Sequence, residues 1–381
     1  MIKAKNFNSL LREKTNITGS IGLHEPIFKG NEKKYLSQAI DNTNVSSKGK
    51  FIDRFEKNIS SLTNNKFCVA TVNGTSALQI ALILADVKQG DEVLTQALSF
   101  VATSNAIAYL KAKPVFIDVD RDTMGMSPLS LSSFLQEFGE KRENGTYNKS
   151  TGKKISACLP MHTFGFMCRI DEIKKICKEW KITLVEDSAE ALGSKFKGEF
   201  AGTFGALSAY SFNGNKVITS GGGGCITTQN KNLYKRAKHI SSTAKSSGKF
   251  HYFHNEIGYN FRMPNLNAAL ACAQIESFQR IIERKIKLYE FYAKELPSIG
   301  IELVPIPKNT TWNYWLIPIL LDDKKERDNF LKETDSFKIM TRPIWTLLFK
   351  LPMFSLCQKD SQKNALFLEN KIVNIPSNVR I

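Results

Sequence analysis

The stretch TLVEDSAE, residues 183–190, joins a short apolar run to three acidic residues. Its first four residues predict a buried β-strand, so the carboxylates of Asp187 and Glu190 are expected just beyond the carboxyl end of that strand. In open α/β sheets, ligands bind at this end. A carboxylate held there can keep the nitrogen of a bound heterocycle protonated, or it can cap the next helix, and the residues alone leave both interpretations open. We expect no metal site, because the neighbouring His and Cys spacing provides no further ligands.

This strand is one of several that alternate with helical patterns between residues 66 and 228. The alternation is typical of a sheet that is covered by helices on both faces. Crossover helices are predicted at 76–84, 101–109 and 171–180. The seven strand candidates are Phe67–Val72, Glu92–Gln96, Pro114–Asp118, Ile155–Met161, Thr183–Glu186, Ala206–Phe212 and Cys225–Thr228. We therefore expect a single large sheet.

Beyond residue 260 the pattern changes, which indicates a second, smaller domain. A long helical stretch over 265–294 is followed by turns rich in Pro and Asn and by two short strand-like runs, at 315–321 and 338–341. The polar segment 136–154 is predicted to be a solvent-exposed insertion. The whole chain is thus expected to be an α/β protein of two domains.

Composition limits the class of protein. The chain has 381 residues, of which 42% are hydrophobic and 23% charged, so it can bury a large core, and disordered and fibrous classes are excluded. The net charge of +17 attracts anions, but the basic residues are dispersed, so we expect no nucleic-acid or membrane partner. Seven scattered cysteines without a C-x-x-C pair indicate reduced thiols. With no apolar stretch of membrane-spanning length and no signal-like start, we expect a cytoplasmic protein.

A second candidate site is the turn NGTSAL, residues 73–78, where an apolar strand ends and a helix begins. The first turn of a helix leaves backbone N–H groups unpaired, and here hydroxyl groups lie beside them, so the turn can bind a phosphate. An ordinary helix N-cap by Ser or Thr explains the same residues. On its own, the turn does not decide between the two interpretations.

The third candidate is Lys216, which ends the run SAYSFNGNK, residues 208–216. A lysine just beyond a buried strand suits an amine that acts as a Schiff-base nucleophile, and the four glycines at 221–224 let the backbone or a ligand approach closely. A surface lysine in a flexible loop is the alternative. A dinucleotide site is not favoured, because the G-x-G-x-x-G pattern and its later ribose-binding acid are not reproduced.

Six separated motifs occur in the order that one family shows. They are NGTSAL at 73–78, SFVATSNA at 99–106, PVFIDVD at 114–120, MHTFG at 161–165, EDSAEALG at 186–193 and GYNFRM at 258–263. Through them the chain resembles the DegT/DnrJ/EryC1/StrS family of sugar aminotransferases over roughly residues 20–380. The agreement in order makes this resemblance much stronger than any single motif.

The resemblance implies an α/β fold of the fold-type I, aspartate aminotransferase-like kind. A large domain with a seven-stranded, mostly parallel sheet would be joined to a smaller α+β C-terminal domain. The implied boundaries are an N-terminal segment at 1–30, a large pyridoxal phosphate-binding domain at 31–255 and a small domain at 256–381. The implied cofactor is pyridoxal 5'-phosphate, with pyridoxamine phosphate as an intermediate, and the implied assembly is a homodimer with shared active sites.

The family's roles fall on matching residues of this sequence. Lys216 matches the lysine that holds the cofactor and then moves the proton between the substrate carbon and the cofactor, and Asp187 matches the residue that pairs with the pyridine nitrogen. Phe100 matches the aromatic residue that stacks on the cofactor ring, and Glu190 the position beside its phenolic oxygen. The other implied cofactor contacts are Gly74, Thr75, Ser76 and Ser211 around the phosphate, and Asn260, which reaches the phosphate in the partner subunit.

The implied reaction moves an amino group from L-glutamate to C4 of a nucleotide-linked 4-keto-6-deoxy hexose, carried by UDP or GDP. The stretches at 211–216 and 340–345, with the glycines at 221–224, resemble the branch assigned to legionaminic acid and related bacterial diamino sugars. Candidate sugar contacts are His162, Arg262 and Arg342. The alternatives are a 3-keto sugar aminotransferase, and a non-catalytic regulator that uses its positive charge on nucleic acid.

Overall fold

The computed structural model describes residues 2–246 and 251–378. Within them the helices are α1 Ile2–Thr15, α2 Glu32–Asp41, α3 Lys50–Leu62, α4 Gly74–Leu84, α5 Val101–Tyr109, α6 Pro128–Phe138, α7 Ile170–Glu179, α8 Lys231–Ser241, α9 Asn265–Glu276, α10 Phe278–Glu295, α11 Lys324–Ser336 and α12 Lys363–Lys371. The strands are β1 Phe67–Thr71, β2 Glu92–Gln96, β3 Lys113–Ile117, β4 Gly139–Arg142, β5 Gly145–Asn148, β6 Lys154–Leu159, β7 Thr183–Asp187, β8 Lys195–Phe196, β9 Glu199–Phe200, β10 Leu207–Ser211, β11 Gly224–Thr228, β12 Glu302–Leu303, β13 Thr310–Thr311, β14 Ile317–Leu320, β15 Arg342–Pro343 and β16 Ile372–Ile375.

The large sheet contains all seven predicted strands, in the order β1-β11-β10-β7-β6-β2-β3. Strands β3, β2, β6, β7 and β10 pair in parallel, whereas β11 runs antiparallel to both of its neighbours. The prediction of one large, mostly parallel sheet is therefore confirmed, but the sheet has nine strands rather than seven, because β4 and β5 also belong to it. Parallel strands bring their carboxyl ends to one edge, so the segments after β7 and β10 meet there.

Both faces of this sheet are covered, which explains why nearly every residue of its central strands is buried. Successive residues of a strand point to opposite faces. Val93 packs in one core with α4, α5 and α8, while its neighbour Leu94 packs in a second core with α6 and α7. Val185 and Leu184 divide between the same two cores. The helices predicted at 76–84, 101–109 and 171–180 correspond to α4, α5 and α7.

The segment 136–154 carries more structure than predicted. It forms a hairpin, β4 and β5, that extends the large sheet by pairing antiparallel with β6. The charged residues of β4 are exposed, as expected of an insertion, but Thr146 and Asn148 are buried. Alternation of polar residues over four positions was too short a signal to separate this strand pair from a loop.

A second sheet, β12-β14-β16-β15, is antiparallel throughout and lies with α10, α11 and α12 in the C-terminal part. The N-terminal helix α1 packs against this part, since the Phe7 and Phe330 rings are 5.7 Å apart between centroids. The described residues contain no helix that is both long and apolar enough to cross a bilayer. The boundaries at residues 30 and 255 stay predictions.

Two predicted elements of the C-terminal part differ from the structure. The helical stretch at 265–294 is divided at Ser277, because α9 is buried almost all round whereas α10 is amphipathic, and the two halves need different directions to pack. The strand predicted at 338–341 contributes only a bridge between Ile339 and Ile21, and the strand of the sheet follows it as β15.

Candidate active site

A cavity of about 450 Å³ opens at the carboxyl ends of β7 and β10 and is closed on its other side by β15 and β16. Both sheets therefore contribute to its wall. The predicted site residues that line it are Gly74, Thr75, Phe100, Asp187, Glu190, Ser211, Lys216 and Arg342. The fold thus brings together eight residues that are far apart in the sequence.

The N-terminus of α4 forms one end of the cavity. Asn73 has an extended backbone, and its side chain caps the helix by accepting a 2.7 Å hydrogen bond from the Ser76 N–H. The N–H groups of Gly74 and Thr75 precede the first intrahelical bond, so they are the donors left for an anion. A Cβ on Gly74 would lie 2.9 Å from the Ser211 Cβ, so only glycine lets the helix start this close to β10. The cap is thus Asn73, not a Ser or Thr.

Asp187 ends β7 with its carboxylate buried. Its Oδ2 accepts a 2.7 Å hydrogen bond from the Thr103 hydroxyl, and its Oδ1 accepts one of 3.1 Å from the Ala189 N–H. Burial raises the pKa of Asp187, while these hydrogen bonds and the nearby charges of Lys216 and His162 act in the opposite direction. The carboxylate is therefore held in one orientation at the cavity wall.

Lys216 and Glu190 form the charged pair of the site. The Lys216 Nζ lies 3.3 Å from Glu190 Oε1, and the Phe164 N–H donates to Glu190 Oε2 at 2.9 Å. The Lys216 side chain is 13% exposed and that of Glu190 only 1%. Burial raises the pKa of Glu190 to about 7, against the opposing effect of Lys216. The amine and the carboxyl group thus face the cavity within hydrogen-bonding distance of each other.

Aromatic rings surround this pair. The Lys216 Nζ is 4.2 Å from the centroid of the Trp315 ring, and the Trp315 indole N–H donates to the Asn215 carbonyl at 2.6 Å, which fixes the lysine loop. The Trp345 ring is 5.0 Å from that of Phe164 and 6.4 Å from that of Phe100. Phe100 is 51% exposed and faces the cavity, so core packing does not explain it.

His162 does not contribute to the cavity wall. Its side chain is fully buried, with Nε2 3.1 Å from Glu186 Oε2 and Nδ1 3.4 Å from the Cys168 Sγ. Burial alone lowers the pKa of His162, but Cys168 and Glu186 outweigh it, and the net direction is upward. His162 lies three residues beyond the end of β6, and its side chain is held in the interior by Glu186 and Cys168, so the structure does not place it at the cavity where a sugar contact was predicted.

Three further predicted residues lie outside this cavity. The Ser76 N–H is taken by the Asn73 cap, and its side chain is buried. Arg262 lines a separate cavity of about 440 Å³ beside β1, where its Nε has no hydrogen-bond partner among the described residues. Asn260 is exposed next to its bridge with Ser242. Its predicted contact concerns a partner subunit and stays a prediction.

Several residues of the cavity wall had no predicted role, among them Thr103, Trp345, Trp315 and Asn374. Thr103 lies in the stretch at 99–106 and Trp345 in the stretch at 340–345, so a sequence signal exists for both. Trp315 and Asn374 also line the wall, but neither lies in a motif. No group of three His, Cys, Asp or Glu residues that could hold a metal ion occurs in the described part of the chain.

Comparison with known proteins finds similar sequences and a shared fold. The GDP-perosamine synthase of Escherichia coli O157:H7 is 34% identical over 335 residues, which are 88% of this chain and 87% of that protein. The GDP-perosamine synthase of Vibrio cholerae is 33% identical over 360 residues, 94% of each chain. The structure of the aminotransferase TlmJ from Streptoalloteichus hindustanus superposes with a TM-score of 0.84 at 22% identity, over 94% of this chain and 93% of TlmJ, and shows a shared fold-type I architecture.

A family profile covers nearly the whole chain. It is described as the DegT/DnrJ/EryC1/StrS aminotransferase family, and it matches residues 26–381. This range includes the α4 turn, the β7 carboxylate, the lysine loop and both strands of the second sheet that close the cavity. The chain therefore belongs to the DegT/DnrJ/EryC1/StrS family and is a pyridoxal phosphate-dependent aminotransferase.

Proposed function

We propose that this enzyme transfers the amino group of L-glutamate to C4 of a nucleotide-linked 4-keto-6-deoxy hexose. The observation that carries the proposal is the position of the Lys216 amine, which faces one cavity together with the Asp187 carboxylate and the N-terminus of α4. A lysine, a carboxylate and an anion site are the three contacts that pyridoxal phosphate needs. The two relatives named GDP-perosamine synthase support an amino sugar as the product.

The residues present fit the cofactor. Gly74 leaves room where a side chain would fill the anion site, and a Cβ on Gly224 would lie 2.4 Å from the Asn73 carbonyl carbon, so both glycines keep the turn open and close to the sheet. Gly74, Thr75 and Ser211 would hold the phosphate. Ser76 would contribute by anchoring the turn through its N–H. Phe100, half exposed beside the cavity, would stack on the ring.

Each polar group then has a defined task. Asp187, oriented by Thr103, would keep a proton on the ring nitrogen. Lys216 would bind the cofactor aldehyde covalently and afterwards, once released, move the proton at the reacting carbon. Glu190 lies within reach of Lys216 and would take or return the lysine proton. Pyridoxal phosphate, when bound, supplies the electron sink and carries the amino group between the two half-reactions.

The sugar acceptor is the finer part of the proposal. Perosamine is a 4-amino sugar, which supports amination at C4 and favours GDP as the carrier. The stretches at 211–216 and 340–345 instead resemble the legionaminic acid branch, for which UDP- and GDP-linked acceptors are both candidates. We further propose a cytoplasmic homodimer in which Asn260 of each subunit contacts the phosphate of the other.

Two experiments test the cofactor chemistry. The purified enzyme should absorb in the visible when loaded with pyridoxal phosphate, and this band should disappear when glutamate is added. Borohydride reduction of the loaded enzyme, followed by peptide mapping, should place the label on Lys216 and leave the wholly buried Lys285 unlabelled. A label on another lysine, or no label, would contradict the assignment.

A panel of nucleotide keto sugars tests the acceptor. The enzyme is incubated with glutamate and UDP- or GDP-linked 4-keto-6-deoxy hexoses, with and without a C2 acetamido group, and amination is followed by mass spectrometry. NMR of the product separates C4 from C3 amination, and so tests the 3-keto alternative. If no keto sugar is aminated while glutamate still bleaches the cofactor, the acceptor proposal fails and the half-reaction with glutamate stands.

A further inference from the structure

Two strands of the second sheet place a donor and an acceptor side by side at the cavity. Arg342 on β15 and Asn374 on β16 are direct partners in the antiparallel pair. Residues directly opposite each other in such a pair point to the same face of the sheet. Both residues line the cavity that Lys216 and Asp187 also line. The partner of Asn374 on its other side is Pro318, which adds no hydrogen-bond donor to this row.

Asn374 is buried without the partner that burial demands. The residue is 2% exposed, and its Oδ1 accepts no hydrogen bond from any described residue. Buried polar side chains are almost always hydrogen-bonded, because an unpaired acceptor loses its water without compensation. An acceptor left in this state at the wall of a substrate cavity indicates that a bound molecule completes it.

Arg342 supplies the complementary donors. One guanidinium nitrogen, Nη1, donates to the Thr341 carbonyl at 3.0 Å, and no carboxylate of a described residue forms an ion pair with it. A guanidinium has five N–H donors in a fixed fork, so most remain for a ligand. Next to the Asn374 oxygen, this fork favours a group that both accepts and donates. A phosphate or carboxylate oxygen could accept from Arg342 and from the Asn374 amide N–H, but it has no proton for Asn374 Oδ1, the atom without a partner among the described residues.

We propose that Arg342 and Asn374 form a specificity subsite for one hydroxyl group on the ring of the sugar substrate. The hydroxyl oxygen accepts from the Arg342 fork, and its proton is donated to Asn374 Oδ1. The inference rests on the proposed function, since it needs a sugar acceptor in the cavity. The subsite acts in the second half-reaction and takes no part in binding glutamate.

The substitutions N374L and R342L test this subsite, with N232L as the matched control. Leucine has the branching and the number of side-chain heavy atoms of asparagine, although its methyl groups are bulkier, and it has no polar atom. Asn232 is exposed on α8 and does not line the cavity. For each variant, kcat/KM is measured with the best keto sugar of the panel and with its analogues that lack the C2 or the C3 hydroxyl. The rate of cofactor bleaching by glutamate is measured separately, and binding of the aminated nucleotide sugar is measured by calorimetry.

We expect the wild type to lose roughly 100-fold in kcat/KM with the analogue that lacks the recognised hydroxyl, because two buried partners are then unpaired. N374L and R342L should lose a similar factor with the normal sugar, mainly in KM, and should no longer distinguish it from that analogue. Calorimetry should show the same loss in affinity. Bleaching by glutamate should be unchanged in every variant.

Three results would overturn the inference. The first is a variant that aminates the normal sugar as fast as N232L does. The second is slower bleaching by glutamate in N374L or R342L with normal sugar kinetics, which would move both residues to the glutamate site. The third is a wild type that aminates no keto sugar, which removes the proposed function as well. If N374L does not fold, R342L decides, since Arg342 is exposed.

Discussion

Lys216 and Lys285 both contact Trp315, and the surroundings of their amines differ. The Lys216 Nζ lies over the Trp315 ring, 4.2 Å from its centroid, and reaches Glu190 at the cavity. The Lys285 Nζ is wholly buried and donates to three backbone carbonyls. They are those of Tyr314 at 3.0 Å, Trp315 at 3.1 Å and Ser377 at 2.9 Å.

This difference supports the proposed chemical role of Lys216 and a structural role for Lys285. The three protons of the Lys285 ammonium each have a carbonyl acceptor, so the side chain ties α10 to the segment before β14 and to the end of the chain. Lys216 has one acidic partner that can take its proton, and open space beyond. The residue type is the same in both places, and the contacts of the amine decide its role.

Removal of the Lys216 amine should have the largest effect on activity. The substitution K216A should reduce amination by about 10⁴-fold or more, because the covalent and proton-transfer steps both lose their group. Glutamate should no longer bleach the loaded enzyme on the time scale of the wild type. Amination assays and visible spectra measure this, with K285M as the control. An active K216A enzyme would transfer the role to another residue.

Removal of the Lys285 amine should have the opposite effect: it should reduce stability and leave the cofactor chemistry intact. In K285M three buried carbonyls lose their donor while the cost of burying the amine disappears, so we expect a net loss of about 2–3 kcal/mol in the free energy of unfolding. Urea denaturation measures this loss. The band formed with pyridoxal phosphate and its bleaching by glutamate should persist at temperatures where the variant is folded.

The pH dependence of K285M sharpens the contrast further. Burial lowers the pKa of Lys285, so between that lowered pKa and 10.5 the unfolded chain binds more protons than the folded one. In this range the stability of the wild type should therefore rise with pH. K285M should lack that rise. If the free energy of unfolding has the same pH slope in the two proteins, then the pKa of Lys285 in the folded protein is not lower than its pKa in the unfolded chain.

Glu190 should have the reverse effect on the cofactor-free enzyme, because its contribution to the free energy of unfolding should fall with rising pH. Its folded pKa of about 7 is above the ordinary value of 4.5, so the folded state binds more protons between those values. The contribution of Glu190 to stability is complete below 4.5 and is lost as the pH rises through about 7. E190Q should remove this loss, which we expect to be on the order of 2 kcal/mol at pH 8. Unfolding free energies of both proteins at pH 5 and 8 measure it.

Thr103 offers the smallest and most specific change. In T103V the Asp187 carboxylate loses one hydrogen bond within nearly the same volume. We expect a five- to tenfold loss in kcat, corresponding to about 1 kcal/mol, with little change in stability. The absorption spectrum of the loaded enzyme at varied pH reports on the proton at the ring nitrogen. If T103V has normal kcat and an unchanged spectrum, Thr103 does not orient Asp187.

The predictions made from sequence succeeded where the pattern was local. Seven strands of the large sheet could be predicted because they are buried on both faces and largely apolar, whereas the short, partly exposed strands β4 and β5 could not. Lys216 and Asp187 were singled out because Lys216 follows such a strand and Asp187 ends one. His162 also follows a strand, but its side chain is held in the interior by Glu186 and Cys168, contacts that the local sequence does not record. The break at Ser277 arises from packing on two different surfaces, which the helical pattern does not record.

The sequence by itself determined seven strands of the large sheet, the order of its motifs and the family, and it singled out Lys216 as the candidate for the reactive lysine. These depend on neighbours along the chain, where apolar runs and small-residue turns act directly. Only the tertiary structure decided that Asn374 pairs with Arg342 across two strands, that Lys216 and Lys285 contact different parts of Trp315, and that His162 is buried against Glu186. Those contacts join segments up to hundreds of residues apart, and their geometry depends on how the two sheets pack together.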